Sequence, residues 1–135
     1  MTVLIGYLPA PEGDKALATG IAEAKLRGTK AVVVNSPRKG AHDRWSTLSA
    51  DRLEQMNDLA AAHGVEIEIV QPEHEGSLTA VLNSLAESYE ASVLVIGMRK
   101  RNPLGKLVLG SQAEHILMES HIPVLTVTAV SHDGD

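Results

Sequence analysis

Val93-Leu94-Val95-Ile96-Gly97 decides the fold: four consecutive apolar residues that end on a glycine. A strand with one solvated face alternates apolar and polar residues, whereas an unbroken apolar run suits a strand buried on both faces. Val32-Val33-Val34 and Val3-Leu4-Ile5 read the same way. By contrast, Val65-Glu66-Ile67-Glu68-Ile69 alternates strictly and Leu125-Thr126-Val127-Thr128-Ala129 more softly. The strand-like runs are therefore Val3–Leu8, Ala31–Asn35, Val65–Gln71, Val93–Gly97 and Val124–Val130, with the third and fifth at the edges.

Between these runs the period changes to that of a helix. Glu12–Arg27 carries Leu17, Ile21 and Ala24 on one face and meets a stop at Gly28. Ser49–His63 carries Leu53, Met56 and Leu59, with Ser49 as N-cap and Gly64 past the end. Ser77–Tyr89 carries the cleanest stripe: Leu78, Val81, Leu82 and Leu85. Ser111–Ser120 opens on Ser-Gln-Ala-Glu, a capping box of Ser111 and Glu114. Strand and helix in alternation define an α/β domain of three layers, an open sheet of five parallel strands with helices on both faces. With right-handed crossovers and strands three and five at the edges, the strand order is 3-2-1-4-5.

The chain has 135 residues, the size of one domain. Residues 1–130 form that domain and 131–135 read as a flexible tail. Ser36–Ser46 is the one long polar loop, expected to be mobile, with Trp45 marking where the chain packs down again. Lys plus Arg total 12 against 17 Asp plus Glu, a net charge of −5 that argues against nucleic acid as partner. Aromatic residues are 2%, too few for a base-stacking platform, and the absence of cysteine excludes thiolate chemistry and disulfides. The first strand begins at Val3 and no apolar stretch approaches a membrane span of ~20 residues. These features predict a cytoplasmic protein with no membrane partner.

In an open parallel sheet, ligands bind beyond the carboxyl ends of the strands, where the strand order reverses. Here that is between strands one and four, at the loops Tyr7–Asp14 and Gly97–Gly110, with Asn35–Pro37 nearby. The second loop holds Arg99, Lys100, Arg101 and Lys106, four of the 12 basic residues of an acidic protein. It leads through Gly110 into a helix start at Ser111 and Gln112, where free N–H groups and the helix dipole favour an anion. Gly105-Lys106 is not a P-loop, which would need glycine and a hydroxyl where Lys100 and Leu107 stand. The six histidines (His42, His63, His74, His115, His121, His132) show no metal spacing and are expected at the surface or at helix ends. No general acid and base assemble, so the chain reads as a binding protein, at most a slow ATPase.

Gly97, then Gly110-Ser111 after a basic loop, a short helix and Ile122-Pro123-Val124-Leu125-Thr126-Val127 together resemble the universal stress protein family. Val3-Leu4-Ile5-Gly6 and Ala91–Gly97 fall where that family has strands one and four, so the resemblance covers nearly the whole chain. It implies the same 3-2-1-4-5 sheet and, in many members, ATP held by a Gly-x2-Gly-x9-Gly-(Ser/Thr) signature. Carried over, the first glycine is Gly97, the last Gly110 and the hydroxyl Ser111, while Lys100 stands at the second glycine. Leu8 stands where nucleotide-binding members have an Asp for the ribose, and the adenine contacts fall near Val34 and Asn35. A sugar hydrogen bond lost at Leu8 corresponds to about 1–3 kcal/mol, roughly tenfold to a hundredfold in affinity.

Three functions follow from this reading. The first is a nucleotide-responsive stress protein that binds ATP (with Mg2+) or AMP, its ligand residues being Leu8, Val34, Asn35, Gly97, Arg99, Lys100, Arg101, Gly110, Ser111 and Gln112. The second is a dimeric interaction module that binds no nucleotide. The third, an adenylating enzyme, lacks a glycine-serine loop after strand one, where Leu8-Pro9-Ala10-Pro11 stands. The family resemblance and the uncovered fifth strand both predict a homodimer, with Val124–Val130 pairing antiparallel across a two-fold axis.

Overall fold

The structure, a computed structural model, describes residues 1–8, 10–40, 48–100 and 111–130. Five strands form one parallel sheet: β1 (Thr2–Gly6), β2 (Lys30–Val34), β3 (Ile67–Val70), β4 (Ala91–Lys100) and β5 (Val124–Val130). The strand order is β3-β2-β1-β4-β5, as the apolar patterning requires. Four helices cover the sheet: α1 (Pro11–Arg27), α2 (Ala50–Ala62), α3 (Leu78–Ser88) and α4 (Ser111–Glu119). None of the described helices is long and apolar enough to cross a membrane.

Alternate side chains of the central strands feed two separate cores. Val3, Ile5, Val33 and Val95 pack with Leu17, Ile21, Met56 and Ala60 of α1 and α2. Leu4, Val32, Val34, Leu94 and Ile96 pack with Leu82, Ala86 and Ile116 of α3 and α4. Leu4, Ile5, Leu17 and Ile21 are among the side chains fully removed from water, each stabilising the fold by about 1.5–3 kcal/mol. At edge β3 the alternation survives as half-buried Ile67 and Ile69 around exposed Glu68.

The helix ends obey local chemistry. Ser49 accepts a hydrogen bond from the Arg52 N–H and Ser77 one from the Ala80 N–H, each satisfying a donor that helix geometry leaves unpaired. At the end of α1, Gly28 adopts φ 65°, a conformation open to glycine, and the chain turns into β2. Pro11 opens α1, where Glu12 and Asp14 complement the dipole.

β1 and β3 are shorter than the runs Val3–Leu8 and Val65–Gln71 suggested, and two further boundaries differ from the sequence reading. β4 does not stop at Gly97: Met98, Arg99 and Lys100 continue it, paired with Thr128, Ala129 and Val130 of β5. The backbone there has a parallel partner along its whole length, and Arg99 finds an acid on α1, so charge does not end the strand. The start of the polar loop is also tied down. Arg38 bridges to His74 as a parallel pair, the His74 N–H donates to the Pro37 carbonyl at 2.9 Å, and the Lys39 N–H donates to the His74 carbonyl at 2.8 Å. The remainder of that loop, with Trp45, lies outside the described residues, as does the tail 131–135. The Ser111 side chain, and with it the capping box, is likewise outside them.

Candidate functional site

β1 ends at Gly6 and β2 at Val34, at the carboxyl end of the sheet, where β1 lies between β2 and β4 and Gly97 of β4 stands beside them. Beyond them, on the side of α3 and α4, a cleft of about 550 Å³ (its open mouth included) is lined by Tyr7, Leu8, Ser36, Leu78, Leu82, Ile96, Gln112, Ala113 and Ile116 as well. This is the crevice that strand order predicts. Its walls are mostly apolar; Gln112 and Ala113 bring to it the first turn of α4.

Two glycines let the β1–α1 turn pack closely beside the cleft. A Cβ at Gly13 would lie 1.6 Å from the Leu8 carbonyl oxygen, and one at Gly97 would lie 2.0 Å from the Glu12 carbonyl oxygen. The turn from β1 into α1 is thus pressed against β4 with no room for a side chain at either place. Gly97 is therefore required by packing against α1 as well as being open to the cleft. Leu8, at the mouth, is 51% exposed.

Behind β1, on the side of α1 and α2, Tyr7 is buried and its hydroxyl donates to Asp14 at 3.0 Å. The Arg52 Nε donates to the Tyr7 oxygen at 2.9 Å, its guanidinium lies 5.4 Å from the ring centre, and it pairs with Asp14. One network so ties the end of β1 to the first turns of α1 and α2. Burial raises the Tyr7 pKa above 10.0; the hydrogen bond from Arg52 opposes this, and the bond to Asp14 reinforces it. The Arg99 guanidinium is drawn to the same side, 3.3 Å from Glu12, whose side chain is mostly buried.

The far wall is polar at one point. The Ser36 hydroxyl donates to the Pro72 carbonyl at 2.6 Å and lies 3.1 Å from His74 Nδ1. His74 is 6% exposed, so it is not the surface residue its sequence context suggested. Its ring fills the space between the segments that follow β2 and β3. Buried Asn35 donates through its side chain to Gln71 at 3.3 Å, and Gln71 in turn accepts from the Leu48 N–H at 3.0 Å.

Of the ten residues expected at the ligand, the structure brings Leu8, Val34, Gly97 and Gln112 to one cleft. Asn35 adjoins it through the chain, and Arg99 is held by Glu12 instead. Lys100 ends β4 and Ser111 begins α4, while Arg101 and Gly110 lie outside the described residues. Sequence reasoning placed Ser36 only within the nearby loop Asn35–Pro37 and missed Gly6, Leu78, Leu82, Ile96, Ala113 and Ile116 as lining. The leucines and isoleucines fit the core-facing stripe of a helix or strand equally well, and only the hydroxyl of Ser36 beside Pro37 carried a usable signal.

A doubly wound α/β domain with a crevice at its switch point is the class of protein that the fold and cleft define. A model of the universal stress protein family matches residues 1–128. A universal stress protein of Mycolicibacterium smegmatis is 38% identical over 128 residues, covering 93% of this chain and 95% of that protein. The chain belongs to the universal stress protein family. Longer mycobacterial members are 28% identical, and the chain spans 47% of their length. The structure of a universal stress protein from Archaeoglobus fulgidus matches with TM-score 0.77 at 26% identity, over 93% of this chain and 97% of that one. Another from that organism, in complex with dAMP, matches with TM-score 0.70 at 21% identity, over 93% and 96%, a likeness of fold.

Proposed function

We propose that the cleft binds an adenine mononucleotide or ATP, and that the protein acts as a nucleotide-responsive stress protein of the cytoplasm. The observation that carries this reading is the division of the cleft. Val34, Leu78, Leu82 and Ile96 form an apolar slot suited to a flat base, while the first turn of α4 opens the other side. A helix start favours a phosphate through its unpaired N–H groups. The family relative in complex with dAMP supports the same ligand class. Gly97, Lys100, Arg101, Gly110, Ser111 and Gln112 then serve the phosphates, with Mg2+ accompanying ATP, and Leu8, Val34 and Asn35 border the sugar and base.

Thermal unfolding with ATP, AMP and inorganic phosphate tests this. At a ligand concentration ~100 times the dissociation constant the stabilisation is ~2.7 kcal/mol, a shift of several degrees for a domain of this size. Gly110→Asp abolishes the shift by placing a negative charge at the phosphate position. Melting curves unchanged by millimolar ligand overturn the reading.

Exposed Leu8 favours a second reading, an interaction module without nucleotide, because it puts an apolar side chain at the mouth of the cleft where an acid would hold a sugar. In either case we propose a homodimer through β5. Its outer edge has no strand beside it in the described sheet, and Leu125 is exposed on it.

A further inference from the structure

Ser36 has a hydrogen-bonding state that can be assigned by counting protons. A serine hydroxyl carries one proton and two lone pairs. The 2.6 Å approach to the Pro72 carbonyl requires that proton, because a carbonyl can only accept. The 3.1 Å contact with His74 Nδ1 must then run the other way, with Nδ1–H donating to Ser36 Oγ. His74 is buried and its backbone is pinned on both sides, by its N–H to Pro37 and by its carbonyl to the Lys39 N–H. Burial holds the ring beside Ser36, and Oγ keeps one lone pair and no free proton.

Neighbouring polar groups are already engaged. The Val34 carbonyl accepts from the Tyr7 N–H at 2.8 Å and the Asn35 N–H donates to the Val70 carbonyl at 3.0 Å. The Tyr7 hydroxyl belongs to the Asp14 and Arg52 network behind the sheet. Among the described cleft residues this leaves two polar side chains on the lining, Gln112 on α4 and Ser36 after β2. With the phosphate at α4, Ser36 falls at the uncharged end of the ligand.

We propose that Ser36, fixed as a pure acceptor by Pro72 and His74, selects the base: it favours an exocyclic amine, as in adenine, over a ring carbonyl, as in hypoxanthine. The inference rests on the nucleotide reading of the cleft and adds a specificity-determining residue and its positioning residue. An amine at the purine 6-position donates to the remaining lone pair of Oγ. A carbonyl there sets one acceptor against another with no proton between them.

AMP and IMP share sugar and phosphate and differ only at the 6-position and in the proton on the adjoining N1, so their comparison cancels the contributions from the α4 end. Calorimetric titration of the full chain with each nucleotide is expected to show AMP bound at least about tenfold more tightly. Ser36→Ala weakens AMP and brings the two affinities together. Ser36→Thr keeps the hydroxyl and the preference. His74→Asn supplies an amide N–H in place of Nδ1–H and keeps selectivity, whereas His74→Ala leaves the proton directed at Pro72 but removes the donor that helps to fix Oγ, so that the preference for AMP narrows. Near-ultraviolet circular dichroism establishes that each variant is folded. Wild-type protein that binds AMP and IMP alike, or Ser36→Ala that retains the full preference, overturns the role of Ser36 and leaves nucleotide binding standing. Wild-type protein that binds neither nucleotide overturns the nucleotide reading, and this inference with it.

Discussion

The Arg99 guanidinium lies 3.3 Å from the Glu12 carboxylate, on the side of the sheet that α1 covers. A positive charge that the sequence places in a basic loop thus serves to hold the end of β4 against the start of α1. Glu12 is largely shielded while Arg99 is partly exposed, which limits the worth of the pair to about 1 kcal/mol. Arg99→Ala is expected to lower stability by that amount in urea unfolding and to leave nucleotide affinity unchanged. A large loss of affinity with no loss of stability would assign Arg99 to the ligand instead.

Gly13→Ala and Gly97→Ala are expected to be much more harmful than their size suggests. Each Cβ meets a carbonyl oxygen of the backbone, at 1.6 Å and 2.0 Å, so relief requires moving the β1–α1 turn. Overpacking of this kind costs about 3 kcal/mol. Gly20→Ala meets only the Ile5 side chain, and its cost should be smaller. Equilibrium denaturation of the three variants gives the ranking, and equal effects would show that the turn yields more easily than its contacts imply.

The two tyrosines should ionise late. Burial holds the Tyr7 hydroxyl in its neutral form, and a hydrogen bond to Glu68 does the same for Tyr89. Both folded pKa values lie above the ordinary 10.0, so their contribution to stability is complete below pH 10 and is lost as pH rises through the folded values. Ultraviolet titration of tyrosinate should place both midpoints above that of the unfolded chain. Tyr7→Phe and Tyr89→Phe identify them one at a time, and a midpoint at the unfolded value would show that the corresponding bond does not persist in solution.

Association through β5 is open to a direct measurement. Leu125→Lys places a charge on the exposed edge strand without touching its backbone, and Val127→Pro removes a backbone donor. Sedimentation of wild-type protein at micromolar concentration is expected to give a dimer, and both variants a monomer. A monomeric wild type, or variants that associate as it does, would place the interface elsewhere.

The strand order was legible because burial on both faces and burial on one face leave different patterns, as Val93–Ile96 and Val65–Ile69 illustrate. Caps were legible too, since Ser49 and Gly28 act within a few residues of themselves. The site was read less completely. Arg99 looked like part of a loop because its partner, Glu12, is remote in sequence and no local pattern joins them. Leu78 and Leu82 line the cleft from a helical stripe indistinguishable from core. His74, between two glutamates, gave no sign that it would be buried against Ser36.

The central position of β1 has a consequence during synthesis. Val3 pairs with Ala31 on one side and with Val93 on the other. The first partner follows soon after it, but the second is made about 90 residues later. At translation rates of about 5–20 residues per second, the nascent chain waits roughly 5–18 s for it. Once β2 has been made, a β1–β2 pair presents Val3-Leu4-Ile5 with one row of backbone donors and acceptors open for the rest of that wait, and identical ribosome-borne copies offer it the wrong strand. The stage most exposed to proteolysis and aggregation is therefore the growing polypeptide on the ribosome, and slower translation through α2 and α3 would lower the yield of soluble protein without changing any contact in the finished fold.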